Sequence, residues 1–112
     1  MVITNGGRLK ARYVIHTVGP VWSGGQNDEA RLLANCYLNS LKLANSRGLM
    51  SIAFPGISTG AFGYPVRDAG TIALSSTKDF LSHYDTTLKE VVFVLFRSSD
   101  LQVYNELARL IL

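Results

Sequence analysis

The sequence predicts an α/β fold with parallel strands. Three short apolar runs carry that expectation: Tyr13–Val18, Met50–Phe54 and Val91–Phe96, each rich in β-branched or aromatic residues. A stretch with helical periodicity follows each one. The order strand, helix, strand, helix, strand, helix is that of an α/β layer whose parallel strands are joined by right-handed crossovers.

The elements follow in order along the chain. Val2-Ile3-Thr4 is an extended run, closed by the turn signal Asn5-Gly6-Gly7. Tyr13–Val18 is nearly continuously apolar, as a strand buried on both faces would be, and stops at Gly19-Pro20. After the flexible stretch Trp22–Gln26, Asn27 or Asp28 is placed to cap a helix, with Glu29 in its first turn favourable to the helix dipole. Leu33, Cys36, Tyr37, Leu41 and Ala44 then recur at helical spacing, and Gly48 reads as the residue that closes the helix. Past the second strand and a glycine-rich loop, Pro65 suits a first helical position, and Val66, Ala69, Ala73, Phe80 and Leu81 mark the apolar face of a second helix. Val91–Phe96 is the clearest buried strand. Ser99-Asp-Leu-Gln102 has capping-box spacing, and the last helix is expected to bury Val103, Leu107, Leu110 and Ile111. No repeat or linker interrupts the chain, so one domain is expected over residues 1–112.

Composition narrows the class. A chain of 112 residues with 47% hydrophobic content can bury one core. No window approaches about 18 uninterrupted apolar residues, and the first residues lack a secretion pattern. An intracellular, cytoplasmic location is therefore expected, or a nuclear one in a eukaryote, with no membrane partner. A single cysteine, Cys36, makes neither an internal disulfide nor a thiolate zinc site. On the apolar stripe of its helix it reads as a buried, inert thiol. His16 and His83 stand outside any metal-ligand spacing, and His16 reads as a structural imidazole within a strand. No metal and no cofactor are expected. The net charge is +3, but the eleven basic residues are scattered, which describes a solvated surface compatible with an anionic ligand.

The distinctive segment is Pro55–Pro65, PGISTGAFGYP, with three glycines and two prolines between two apolar elements. In open parallel sheets ligands bind beyond the carboxyl ends of strands, where loops enter helices. Gly60 and Gly63 clear side chains from a position where successive N–H groups can form an anion nest, and Ser58 and Thr59 can add hydroxyl donors. The segment lacks the Gly-Lys-Ser/Thr of triphosphate sites and carries only part of a dinucleotide fingerprint. A phosphate or pyrophosphate cradle is one reading and a tight strand-to-helix connection the other. The rings of Phe62 and Tyr64 can pack on a ribose or base, or cap the core. Phe96, at the carboxyl end of the last strand, is on the same rim, where it can stack on a nucleoside or serve as a core aromatic. Asp68 is accounted for by the dipole of the helix it begins.

Three stretches, Tyr13–Trp22 (YVIHTVGPVW), Leu33–Leu41 (LANCYLNSL) and Ser51–Pro65 (SIAFPGISTGAFGYP), resemble the second half of a macrodomain, closest to the MacroD-type group that binds ADP-ribose and removes it, or its acetyl ester, from acceptors. The resemblance implies a three-layer α/β/α fold with a mixed, mostly parallel sheet. It also implies that the early strands, an Asp-Ile adenine-recognition segment, an Asn-Ala-Ala-Asn run and a catalytic glycine loop are missing here, so no catalytic residue is assigned. The ligand contacts it implies are Ile57, Ser58, Thr59, Gly60, Ala61, Phe62, Gly63, Tyr64 and Phe96, with the backbone from Ser58 to Gly63 around the diphosphate, Phe62 near the distal end that carries the scissile linkage, and Phe96 at the adenosine end. Phe62 stands where many such proteins carry tyrosine.

Three functions follow as expectations. One is an ADP-ribose-binding module, and another is a hydrolase acting on mono-ADP-ribosylated protein or O-acetyl-ADP-ribose. The third, of a different class, is a basic surface for nucleic acid or poly-ADP-ribose. Without early strands, Val91–Leu95 is expected to lie at an open sheet edge and to promote self-association.

Overall fold

Short β-branched runs alternate with long amphipathic stretches, and the computed structural model, which describes residues 2–4, 19–60, 62–95 and 97–112, converts them into three strands and three helices. These are β1 (Val2–Thr4), α1 (Glu29–Ser46), β2 (Ser51–Pro55), α2 (Val66–His83), β3 (Glu90–Val94) and α3 (Ser98–Ile111). The expected strand Tyr13–Val18, with His16, lies outside the described residues, as do Ala61 and Phe96.

The strands form one parallel sheet in the order β1-β3-β2. Val2, Ile3 and Thr4 pair with Val92, Phe93 and Val94, and Ser51 to Pro55 pair with Glu90 to Val94. The expectation of an open edge at Val91–Leu95 is therefore corrected: β3 is the central strand. A β-branched run at the start of the chain pairs backbone groups that would otherwise stay unsatisfied against the core. Among the described residues the unpaired edges belong to β1 and β2, and β2 carries a proline, Pro55, which suits an edge position.

Alternation along β3 sends Val91, Phe93 and Leu95 into the main core, while Val92 and Val94 are buried on the opposite face. Phe93 stacks on Phe54 of β2 with ring centroids 5.7 Å apart, and meets Tyr37 of α1 at 6.2 Å and Tyr104 of α3 at 5.9 Å. Helices α1 and α3 thus share one face of the sheet, and α2 packs against both. Gly70 permits that approach, because a Cβ there would come within 2.9 Å of Leu107 and 3.0 Å of Tyr104.

The apolar stripe of α1 is as the spacing predicts, with Leu33, Tyr37, Leu41 and Ala44 fully buried and Cys36 half-buried. Helix α3 departs from expectation. Tyr104 and Leu107 are its buried residues, Val103 and Ile111 are half-buried against the core, and Leu110 is 79% exposed. Leu81 of α2 is also largely exposed.

The expected caps are corrected as well. Asp28 makes no side-chain capping bond, α3 starts at Ser98 with Arg97 rather than Ser99 at the cap, and Pro65 stands one residue before α2. Gly48 does close α1. With φ +66°, its N–H donates to the Asn45 carbonyl while the Leu49 N–H donates to the Ala44 carbonyl, the paired bonds of a Schellman motif. Nothing lies within 4 Å of a Cβ built on Gly48, so Gly48→Ala isolates the backbone term. It is expected to cost about 1 kcal/mol, lowering the melting temperature by about 4 °C, as read by thermal circular dichroism.

Candidate functional site

The loop leaving β2 is closed by its own backbone. The Thr59 N–H and hydroxyl both donate to the Gly56 carbonyl, at 3.3 and 2.8 Å, and the Gly63 N–H donates to the Gly60 carbonyl at 3.0 Å. The Tyr64 N–H reaches back to the Ser58 carbonyl at 2.9 Å, which ties the loop's two limbs together. Ser58 (φ +67°) and Gly63 (φ +75°) adopt left-handed backbone, and this folds the segment over just before α2 begins.

These bonds decide which groups face outward. The Thr59 hydroxyl proton is committed to Gly56, and Ser58 Oγ is buried beside Gly19 without a hydrogen-bond partner among the described residues. The expectation that Thr59 can add a hydroxyl donor is therefore corrected. The N–H groups of Ser58, Gly60 and Phe62 make no hydrogen bond among the described residues, so the loop has backbone donors left over. Gly60 is exposed, with open space beyond its Cα. The loop leads directly into the amino end of α2, where the helix dipole also favours negative charge.

The two aromatics part company. Phe62 is 38% exposed, whereas Tyr64 is only 3% exposed and packs at 4.7 Å against Trp22, so for Tyr64 the core-capping alternative holds. Burial, then the charges of Asp68 and Glu29, push the Tyr64 phenol above its usual range. Ile57 is likewise buried, beneath the loop.

Three residues that the sequence did not assign to this region support it. Gly19 lies so close that a Cβ there would overlap Ser58 Oγ and Ile57 Cγ2. Trp22 donates its backbone N–H to the Phe62 carbonyl at 2.9 Å. Glu29, read from the sequence as a helix-dipole residue, is 1% exposed and accepts the Ser23, Gly25 and Asn27 N–H groups at 2.8, 2.9 and 2.6 Å. The signal available for the last was a carboxylate four residues beyond Gly24-Gly25, a spacing from which a glycine turn can wrap it.

The Ser23 N–H, together with those of Gly25 and Asn27, holds the Glu29 carboxyl below its usual range against the opposing effect of burial. Its contribution to stability is fully present above the unfolded glutamate pKa, about 4.3, and is lost as pH falls through the lower folded value. Melting temperature is thus expected to fall on acidification below about pH 4. Glu29→Gln should flatten that part of the profile.

Beneath the loop, the hydroxyls of Tyr37 and Tyr104 are buried neighbours, yet no hydrogen bond of good geometry joins them or engages another described residue. Burial raises Tyr37 well above the ordinary tyrosine value, with the Ile57 N–H working the other way, and raises Tyr104 to about 12. Both are neutral at physiological pH. No cluster of three or more potential metal ligands occurs among the described residues, and none of their helices is long and apolar enough to cross a membrane.

The sequence profile of the macro domain family matches residues 1–73. The chain belongs to the macro domain family. A macro domain-containing protein of Caldanaerobacter subterraneus subsp. tengcongensis is 52% identical over 105 residues, covering 94% of this chain and 59% of that protein. The O-acetyl-ADP-ribose deacetylase of Escherichia fergusonii is 47% identical over 106 residues, covering 95% of this chain and 59% of the enzyme. Among solved structures, the Trypanosoma brucei macrodomain in complex with ADP-ribose superposes with a TM-score of 0.80 at 39% identity, over 88% of this chain and 40% of that one. The Oceanobacillus iheyensis macrodomain with ADP gives 0.79 at 43% identity, over 85% and 49%. The fold is thus the macrodomain fold, and the chain spans about 59% of the length of the curated relatives named here. In this macro domain the glycine loop is a described element with backbone donors left over, at the carboxyl end of a parallel strand.

Proposed function

We propose that this macro domain binds ADP-ribose, with the backbone of Ser58–Gly63 cradling the diphosphate and Phe62 packing against the ligand beside it. The observation that carries the reading is the self-closed loop after β2, whose Ser58, Gly60 and Phe62 N–H groups have no partner among the described residues. An anion supplies what three such donors lack, and no side-chain cation or metal is needed to hold it. Phe96 is assigned to the adenosine end. The reaction assigned to the site is hydrolysis of mono-ADP-ribosylated protein or of O-acetyl-ADP-ribose. A relative that is 47% identical bears the deacetylase name.

The nucleic-acid reading has less support. Arg31 and Arg67 are each paired, with Asp28 and Glu106, and Lys78 is turned to the Ile111 carbonyl, so these cations do not form a stripe.

Calorimetric titration of the full chain with ADP-ribose tests the proposal. Saturable one-to-one binding with shallow salt dependence is expected. No heat with ADP-ribose, together with steeply salt-dependent binding of single-stranded RNA, would overturn it. Release of ADP-ribose from O-acetyl-ADP-ribose then separates a hydrolase from a binding module.

A further inference from the structure

We infer that Glu29 is a positioning residue for the glycine loop, acting through Trp22. The inference rests on the ADP-ribose reading for its ligand but not for its structural links. The chain of contacts starts at the carboxylate. Glu29 Oε2 accepts the Ser23 and Gly25 N–H groups and Oε1 accepts that of Asn27, so one side chain fixes the backbone of a five-residue turn. That turn has little else to define it. Gly24, Gly25 and Asp28 have φ of +87°, +87° and +60°, and every residue from Ser23 to Asp28 is exposed. A left-handed, solvent-facing segment of this kind keeps one shape only when something over-determines it.

The turn in turn holds Trp22. A Cβ on Gly25 would come within 3.0 Å of the indole Cη2, which shows how closely the turn's backbone lies against that ring. The indole also meets Tyr64, with centroids 4.7 Å apart at 51°. The Trp22 N–H is bonded to the Phe62 carbonyl. Phe62 and Tyr64 flank Gly63, the left-handed residue on the limb that returns to α2. Glu29 therefore holds the turn, the turn holds Trp22, and Trp22 fixes the returning limb of the loop. Loss of the carboxylate would free that limb and misplace the Phe62 N–H and ring.

The competing explanation is that Glu29 merely completes the start of α1. Trp22 separates the two, because it is the only tryptophan in the chain and its emission reports the packing of the indole. Glu29→Gln keeps the side-chain shape but replaces one acceptor with a donor, so it cannot accept from all three N–H groups. Asp28→Asn, which tolerates the left-handed φ of +60° at this position, is the matched control. It removes the exposed Asp28–Arg31 pair at the same helix end and leaves the Glu29 bonds in place.

Glu29→Gln is expected to shift Trp22 emission to longer wavelength and to weaken ADP-ribose binding about tenfold, while Asp28→Asn changes neither. Trp22→Leu, which leaves the carboxylate and its donors intact, should weaken binding similarly, and the double variant should be no worse than either single one. Unchanged emission in Glu29→Gln, additive losses in the double variant, or full affinity in either single variant would overturn the inference. Should Glu29→Gln fail to fold, Glu29→Asp, which draws the carboxylate back by one methylene, is read in the same way: a shifted emission with weakened binding supports the inference and an unchanged emission overturns it. If the unsubstituted chain binds no ADP-ribose, it is the functional reading that fails, and Trp22 emission still decides whether Glu29 holds Trp22.

Discussion

Gly60→Glu is expected to abolish ADP-ribose binding at concentrations that saturate the unsubstituted chain, with no change in melting temperature. The two halves of that result have separate causes. Stability is preserved because Gly60 is exposed, has nothing within 4 Å of a built Cβ, and does not occupy the left-handed region that Ser58 and Gly63 occupy. A surface substitution of this kind stays within about 0.5 kcal/mol. Binding is lost because the new carboxylate would stand at the turn whose N–H groups are proposed to face a diphosphate. At about 5 Å and an effective dielectric near 20, like charges repel by about 3 kcal/mol, roughly a hundredfold in affinity before any steric term. Gly60→Ala fills the same space without charge and should retain most of the affinity. Calorimetry on the three proteins checks this, and equal affinity in Gly60→Glu would remove the loop from the site.

The position of this loop was legible in the sequence because its signals are local. Glycines and prolines between a β-branched run and a helical stripe specify a strand-to-helix turn wherever they occur, and the stripe Leu33, Tyr37, Leu41, Ala44 specifies a buried helix face in the same way. Three things were less legible, each because it depends on distant partners. The pairing of Val2–Thr4 with β3 joins segments about ninety residues apart, and nothing in either segment names the other. Phe62 and Tyr64 have similar rings two positions apart, and only the presence of Trp22 decides which one is buried. Glu29 looks like any acid in a first helical turn until the chain before it is seen to fold back over its carboxylate. The hydroxyl of Thr59 misled for a related reason. A short polar side chain in a tight turn tends to bond or pack within the turn itself, as Thr59 does with Gly56.

Phe93→Ala is expected to cost the protein about 3–5 kcal/mol of stability, and to weaken ligand binding only as far as it lowers the folded fraction. Phe93 is fully buried, and its ring touches Tyr37, Phe54 and Tyr104, so it joins α1, β2 and α3 at the centre of the sheet. Truncating a buried phenylalanine costs about 3–5 kcal/mol in lost transfer energy and residual cavity. A small domain is stable by about 5–15 kcal/mol in total, and three of the neighbours here are rigid aromatics that cannot collapse far into the space. The loss therefore falls at the upper end of its range. Leu110→Ala on the exposed end of α3 is the comparison, expected to change stability by less than about 0.5 kcal/mol. Urea melts followed by circular dichroism separate the two. The binding data then distinguish Phe93 from Gly60: Phe93→Ala should recover ADP-ribose affinity in proportion to the folded fraction as an osmolyte restores it, whereas Gly60→Glu is folded throughout and recovers nothing. β2 leads straight into the loop and is paired along its whole length to the strand that carries Phe93, so the cradle holds its shape only while that aromatic packing holds.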